Sequence, residues 1–412
     1  MKFLLPWWLV LSAANLCLAQ ARSPLVTPAE PDTARPPFIR ADLNRIEQTG
    51  PLDPFFVKLY EQRIQGRHRI HIVHLGDSHI QGDFLTREVR RYLQAEFGNA
   101  GRGLIFPYRL AGTNGPRDYA VASPVRWTAG NCVRNRAESA AFGICGYAVE
   151  SPALHAEMTV RLRDTTAAYD GFSKIVVFQP NEPGYAAARV YDPATGEEAQ
   201  MLIEGENFRS FYLNRPVHTA VLGALPVGGA HRPLRIDGLS LENELAGVLY
   251  HSIGVNSATA ADFAGAERLI QSLTAFYPDL IILSFGTNEA QTAAGTAGIT
   301  RQLDNLIRQL RLYCPASPIL LTTPAESYLR GRSPNPHLAE VSTHIRTYAA
   351  ANGLPLWDLF RIAGGERSAP AWREAGLLSS DKVHFSVNGY ALQGKLLYES
   401  LVQAYNDWVM GR

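Results

Sequence analysis

Apolar positions along the chain fall into two patterns. Ile70-His71-Ile72-Val73-His74 is a short, nearly continuous apolar run that reads as a buried strand and breaks at Gly76-Asp77-Ser78. Phe84, Leu85, Val89, Tyr92, Leu93 and Phe97 then recur at helical spacing, ending at Gly98. The C-terminal third repeats this alternation. Asp279 to Phe285, Pro318 to Thr322 and Leu354 to Leu359 read as strands. Between and after them come helical sets: Ile299, Leu303, Leu306, Ile307 and Leu310; Leu338, Val341, Ile345 and Tyr348; and Tyr390, Leu396, Leu397, Leu401 and Val402. Strands that are apolar on both faces and alternate with helices predict an α/β domain whose parallel sheet is covered on both sides.

The middle of the chain follows the other pattern. Ala156 to Leu162, Lys174 to Phe178 and Val217 to Leu222 are short alternating runs, separated by breakers such as Pro180, Pro183-Gly184 and Pro193. They predict an antiparallel β-sandwich inserted into the α/β domain, whose own pattern resumes near Gly247. The α/β domain is thus expected over residues 41–104 and 244–412, with the sandwich over residues 105–243. Insertion at a surface loop is physically reasonable because the ends of such a loop lie close together.

The N-terminus adds a compartment. Lys2, the apolar run Phe3 to Leu18 and the small-residue site Ala19-Gln20-Ala21 read as a signal peptide over residues 1–21. Five prolines between Arg22 and Pro37 suggest an extended tether over residues 22–40. A periplasmic or secreted protein is therefore expected, with no membrane span after cleavage. Lys plus Arg is 39 and Asp plus Glu 38, which lacks the basic excess a nucleic-acid partner would require. After signal removal Cys132, Cys145 and Cys314 remain. The first two are near enough in sequence to bridge if geometry allows, and Cys314 reads as a buried thiol. No Cys/His spacing points to a metal, and no cofactor is expected.

Candidate chemistry lies at the strand ends. Ser78 stands where a strand turns into a helix, at the carboxyl edge of the sheet, where α/β enzymes place their sites. Its backbone N–H would also lie at a helix start. A Ser or Asp there can equally be a helix cap. A serine nucleophile needs a base, and Asp381-Lys382-Val383-His384 offers His384 with a carboxylate to orient it; the alternative is a capping Asp and a surface His. Gly254, through its N–H, and Asn288, through its amide, are candidate oxyanion donors, although Gly and Asn also favour turns for their own reasons. His79 reads evenly as a substrate or supporting contact or as a residue of the helix start. His71, His74 and His251 read as packed. Trp127, Tyr147, Phe208 and Tyr212 in the insertion read as core residues more readily than as sugar-stacking platforms.

Four segments in order, Gly76-Asp77-Ser78, Gly254-Val255-Asn256, Gly286-Thr287-Asn288 and Asp381 to His384, resemble the SGNH, or GDSL-type, hydrolase superfamily. The resemblance implies a three-layer flavodoxin-like fold. It also implies a catalytic triad of Ser78, Asp381 and His384, and an oxyanion hole of Ser78, Gly254 and Asn288. Gly76 to His79, Phe97 to Gly103 and the β insertion are further similar to the peptidoglycan O-acetylesterase group, whose insertion resembles a carbohydrate-binding module. That likeness implies an acetylesterase acting on an O-acetylated glycan such as peptidoglycan N-acetylmuramic acid. The alternatives are an O-acetyltransferase with the same triad, or a glycan-binding wall protein with a silent hydrolase domain. Ser257 and Lys382 depart from the pattern, which expects Gly and a small residue there.

Overall fold

The computed structural model describes residues 23–27, 35–163, 171–225 and 232–412. The signal peptide expected over residues 1–21 lies outside the described residues. The α/β domain is built from β1 (Arg69–Gly76), α1 (Phe84–Phe97), β2 (Gly247–Gly254), β3 (Leu280–Ser284), α2 (Ala293–Tyr313), β4 (Ile319–Thr322), α3 (His337–Ala351), β5 (Leu356–Trp357) and α4 (Val387–Met410). The strands run parallel in the order β2-β1-β3-β4-β5, and Ile46–Glu47 adds an antiparallel edge beside β5. This is the flavodoxin-like order.

Side-chain alternation along each strand builds two cores. Val73, Leu75, Ile253, Ile281 and Leu283 pack with Leu303, Leu306 and Ile307 of α2 and Val341 and Ile345 of α3. Ile70, Ile72, Val248, Tyr250 and Ile282 face the other way, onto Val89, Leu93 and Phe97 of α1 and Leu396, Leu397 and Leu401 of α4. Every strand is therefore apolar on both faces, which explains the continuous runs in the sequence.

The insertion is antiparallel throughout. A five-stranded sheet (Gln200–Glu204, Phe208–Val217, Phe172–Phe178, Gly238–Glu242, Gly101–Ile105) accompanies a four-stranded sheet (Tyr119–Ala122, Glu157–Leu162, Thr219–Ala224, Ala188–Tyr191). A third sheet pairs Leu234–Ile236, Tyr147–Ser151 and Thr128–Asn131. Two sequence expectations shift. Gly101–Ile105, assigned to the α/β side, pairs with Gly238–Glu242 and so opens the inserted sheet. The run Val217 to Leu222 is two strands that meet at His218.

The described part of the Pro-rich segment is anchored rather than free. The Val26 N–H donates to Asn406 Oδ1 at 3.0 Å, the Asn406 amide donates to the Val26 carbonyl at 2.8 Å, and the Tyr405 hydroxyl donates to the Pro24 carbonyl at 2.8 Å. Val26 is buried by this docking onto α4. Cys132, Cys145 and Cys314 are buried free thiols, so Cys132 and Cys145 are not bridged here. No described helix is long and apolar enough to cross a membrane.

A buried ion network joins insertion to hydrolase. Arg90 on α1 and Arg102 on the first inserted strand both contact Asp83, at 2.8 and 2.6 Å, and both contact Asp118, at 3.1 and 3.0 Å. Ser252 of β2 also donates to Asp83, at 2.9 Å. Burial opposes ionisation of Asp83, but the two guanidinium groups outweigh it and hold the carboxyl below the usual carboxylate range.

Candidate active site

β1 ends at Gly76, and the chain turns at once into a one-turn helix, Ser78–Gln81. Asp77 caps that turn, its Oδ1 accepting from the His79 N–H at 2.9 Å. Gly76 has to be glycine, because a Cβ there would lie 2.4 Å from Ile80 Cγ1 and 2.8 Å from the Ser284 carbonyl oxygen. The turn is thereby pressed onto β3 and leaves Ser78 half-buried at the carboxyl edge of the sheet.

The loop before α4 reaches the same point. His384 Nε2 lies 2.8 Å from Ser78 Oγ, and His384 Nδ1 lies 2.8 Å from Asp381 Oδ2. Asp381 also holds the loop itself: its Oδ1 accepts from the N–H groups of Val383 (2.8 Å) and His384 (2.9 Å) and from the Ser379 hydroxyl (2.7 Å). Partial burial would raise the Asp381 pKa. The His384 N–H, the Ser379 hydroxyl, the His384 ring and the Val383 N–H together outweigh burial and hold the carboxyl well below its ordinary value. Lys382 sits between them at φ 61°, and Ser257 sits at φ 66° after β2. Both positions are in the left-handed region, which is why glycine or a small residue is the expected occupant.

Gly254 and Asn288 flank the serine turn from the neighbouring strands. A Cβ on Gly254 would lie 2.2 Å from Gln81 N and 2.7 Å from the Asp77 carbonyl oxygen, so the end of β2 packs directly on the turn. Asn288, beyond β3, donates through Nδ2 to the Ala258 carbonyl at 2.9 Å and meets Asp77 Oδ2 at 3.3 Å. Burial pushes Asp77 up to about 6, against the opposing N–H of His79. We expect Gly254→Ala to displace the turn. Overpacking of this kind costs about 1–3 kcal/mol, with a loss of esterase rate larger than the loss of stability implies. A crystal structure of the variant with Ser78 unmoved would refute this account of Gly254.

Two supporting contacts escaped the sequence reading. Glu289 is buried, pushed up to about 7 by burial, and accepts from the N–H groups of Ala260 (2.8 Å) and Gly286 (2.9 Å). It pins the loops after β2 and β3 to each other. Asp77 was read as part of a motif or as a helix cap, and it does cap the serine turn; its contact with Asn288 is the part the sequence did not show. Their signal was adjacency to Ser78 and Asn288, which residue type alone does not separate from ordinary turn carboxylates.

His79 resolves toward the supporting reading. Its Nδ1 lies 2.8 Å from the Tyr390 hydroxyl at the start of α4, and its ring lies 5.1 Å from that of His384. Burial lowers its pKa to about 3, so it is neutral at working pH. His74 is packed, between Tyr250 Oη (2.7 Å) and Ser284 Oγ (2.6 Å), and His71 stacks on His251. Tyr147 is buried and donates to Gln81 Oε1 at 3.0 Å, while Trp127, Phe208 and Tyr212 are partly buried.

The strand order places the gap between β1 and β3 at the topological switch point, where this class of sheet holds its ligands. The family model for GDSL-like lipases and acylhydrolases matches residues 234–392. That stretch includes Gly254, Asn288, Asp381 and His384, while Ser78 lies before the insertion. The fold is that of an SGNH-type α/β domain, and over the matched residues the chain is similar to GDSL-like acylhydrolases, a class of carboxylic ester hydrolases. Within that class, a solved peptidoglycan O-acetylesterase is similar over nearly the whole chain, insertion included. It is 23% identical, covers 88% of this chain and 98% of its own, and has a TM-score of 0.71. A lipase/acylhydrolase from Enterococcus faecalis is 23% identical, covers 38% of this chain and 77% of its own, and has a TM-score of 0.31. An acetylxylan esterase from Geobacillus stearothermophilus is 19% identical, covers 39% of this chain and 73% of its own, and has a TM-score of 0.30. No curated protein matches the chain.

Proposed function

We propose that this protein is a serine esterase that removes O-acetyl groups from cell-wall glycan outside the cytoplasm, with peptidoglycan N-acetylmuramic acid as substrate. The observation that carries the reading is the unbroken relay Ser78–His384–Asp381, with both hydrogen bonds at 2.8 Å. The similarity to a peptidoglycan O-acetylesterase across both domains supports the substrate class. The apolar N-terminal run supports export.

In this mechanism Ser78 Oγ attacks the acetyl carbonyl while His384 Nε2 takes its proton. Asp381 accepts from Nδ1, fixes the tautomer and stabilises the imidazolium that forms. The tetrahedral oxyanion is met by the N–H groups of Ser78 and Gly254 and by the Asn288 amide. The long 3.3 Å contact from Asn288 to Asp77 is the weak bond that yields to it. Each such donor is worth about 3–4 kcal/mol in the transition state. His384 returns the proton to the sugar oxygen as the C–O bond breaks. A water, deprotonated by the same ring, then attacks the acetyl-serine; the acyl C–Oγ bond breaks, His384 passes the proton to Ser78 Oγ, and acetate leaves.

The test is acetate release from O-acetylated peptidoglycan by the purified protein and by Ser78→Ala. We expect the variant to retain less than about one part in a thousand of the rate. Equal rates for the two proteins would overturn the assignment.

A further inference from the structure

The insertion contributes a wall to the site. Its loop from Phe106 to Gly115 is held in place: the Tyr119 hydroxyl, on the following strand, donates to the Phe106 carbonyl at 2.7 Å, and within the loop the Thr113 N–H donates to the Tyr108 carbonyl at 3.0 Å. Gly115 lies so close to the Tyr108 ring that a Cβ would fall 2.4 Å from it. A loop held this way presents Thr113 and Asn114 in one place.

That place is the edge of the serine turn. Gln81, the last residue of the turn, donates through Nε2 to the Asn114 carbonyl at 2.7 Å, and its Oε1 accepts from the Asn256 N–H at 2.7 Å. The Asn256 side chain completes the link, donating through Nδ2 to Asn114 Oδ1 at 2.8 Å and to Thr113 Oγ1 at 3.2 Å. Asn256 follows Gly254 by two residues, and Gly254 touches the Asp77–Gln81 backbone. The amide link therefore borders the Ser78 site.

These bonds fix the orientation of both amides, because Asn114 Oδ1 serves as the acceptor and Asn256 Nδ2 uses both its hydrogens. Asn114 Nδ2 and Asn256 Oδ1 are left with no partner among the described residues. One free donor, on exposed Asn114, and one free acceptor, on half-buried Asn256, thus stand on two linked side chains at the rim. A trans secondary amide offers a carbonyl acceptor on one edge and an N–H donor on the other, one partner for each of these two separate groups.

We propose that Asn114 and Asn256 form a subsite for the acetamido group of an amino sugar whose O-acetyl ester lies over Ser78. The inference rests on the esterase reading above and extends it, since it makes the insertion part of substrate recognition at the catalytic site. A sugar ester without an acetamido group would leave the pair facing water and gain nothing from it.

The test uses the full-length protein with Asn114→Asp, which keeps the oxygen that Asn256 binds but removes the free donor, and with Asn114→Ala. For each protein kcat/KM is measured on O-acetylated peptidoglycan and on 4-nitrophenyl acetate, which has no sugar. The ratio of the two values is expected to fall about 5- to 20-fold in both variants, mainly through KM on the glycan, as for loss of one or two hydrogen bonds. An unchanged ratio overturns the subsite, whether both activities persist or both fall together. Failure of the unaltered protein to cleave either substrate would instead overturn the esterase reading and the subsite with it, and that result is visible before any variant is made.

Discussion

His384→Ala is expected to lower kcat on an acetyl ester by about 10⁴-fold while KM stays within about threefold. The ring is the only described group that meets Ser78 Oγ at hydrogen-bond distance, at 2.8 Å from Nε2. Without it the serine proton has no acceptor as the C–O bond forms, and the departing sugar oxygen has no donor. Asp381→Asn tests the second link separately. An asparagine amide in that position can turn Nδ1 into an acceptor, which puts the ring proton on Nε2, facing Ser78, in the wrong tautomer for a base. A loss of about 10²- to 10⁴-fold is expected for that variant. Part of the loss will come from the loop, since Asp381 Oδ1 also holds the N–H groups of Val383 and His384. Steady-state kinetics on 4-nitrophenyl acetate checks both. If His384→Ala turned over as fast as the unaltered protein, another residue would have to be the base.

The site was legible because its members stand at punctuation in the hydrophobic pattern. Ser78, Gly254 and Asn288 each stand at the end of an apolar run that reads as a buried strand, and the fold brings such ends to one edge. Asp381 and His384 were legible because three residues of separation let one loop present both. What the sequence could not supply were the reasons that depend on distance. Gly254 was read for its N–H, and the structure adds close approach to Gln81 and Asp77 as a reason for having no side chain. Ser257 and Lys382 looked like departures, yet both occupy left-handed backbone without breaking the site. Glu289 reaches Ala260 across 29 positions and Asp77 meets Asn288 across 211, contacts no local pattern announces. The link from Asn114 to Asn256 spans 142 positions and no periodicity announces it. The same holds for Gly101–Ile105, whose partner strand lies beyond the rest of the insertion.

The charged network beneath the insertion was the least legible feature, because charged residues on an amphipathic helix ordinarily face water. Arg102→Ala is therefore an informative stability test, with an expected loss of about 3–5 kcal/mol. Removing this guanidinium leaves Asp83 and Asp118 buried together with Arg90 as their remaining cation among the described residues, and also frees the Leu104 carbonyl, which accepts from Arg102 at 2.7 Å. Truncating one partner of such a network costs more than replacing the network, so Arg102→Met with Asp118→Leu is expected to recover part of the loss. The pH dependence gives a second check with a definite sign. Asp83 is depressed in the folded protein, so its contribution is present above the ordinary carboxylate pKa and is lost as pH falls through the folded value. Without Arg102 that depression shrinks, and the stability gap between variant and unaltered protein should be widest near neutrality and should narrow on acidification below about pH 4. Urea midpoints measured from pH 7 to pH 3 would show this, and a gap independent of pH would mean that Arg102 acts by packing alone. Because the network ties the first inserted strand to α1 and to Ser252 of β2, loosening it should also displace the Asn114 loop. Cleavage of the glycan is then expected to fall more than cleavage of a small acetate ester, even at temperatures where Arg102→Ala remains folded.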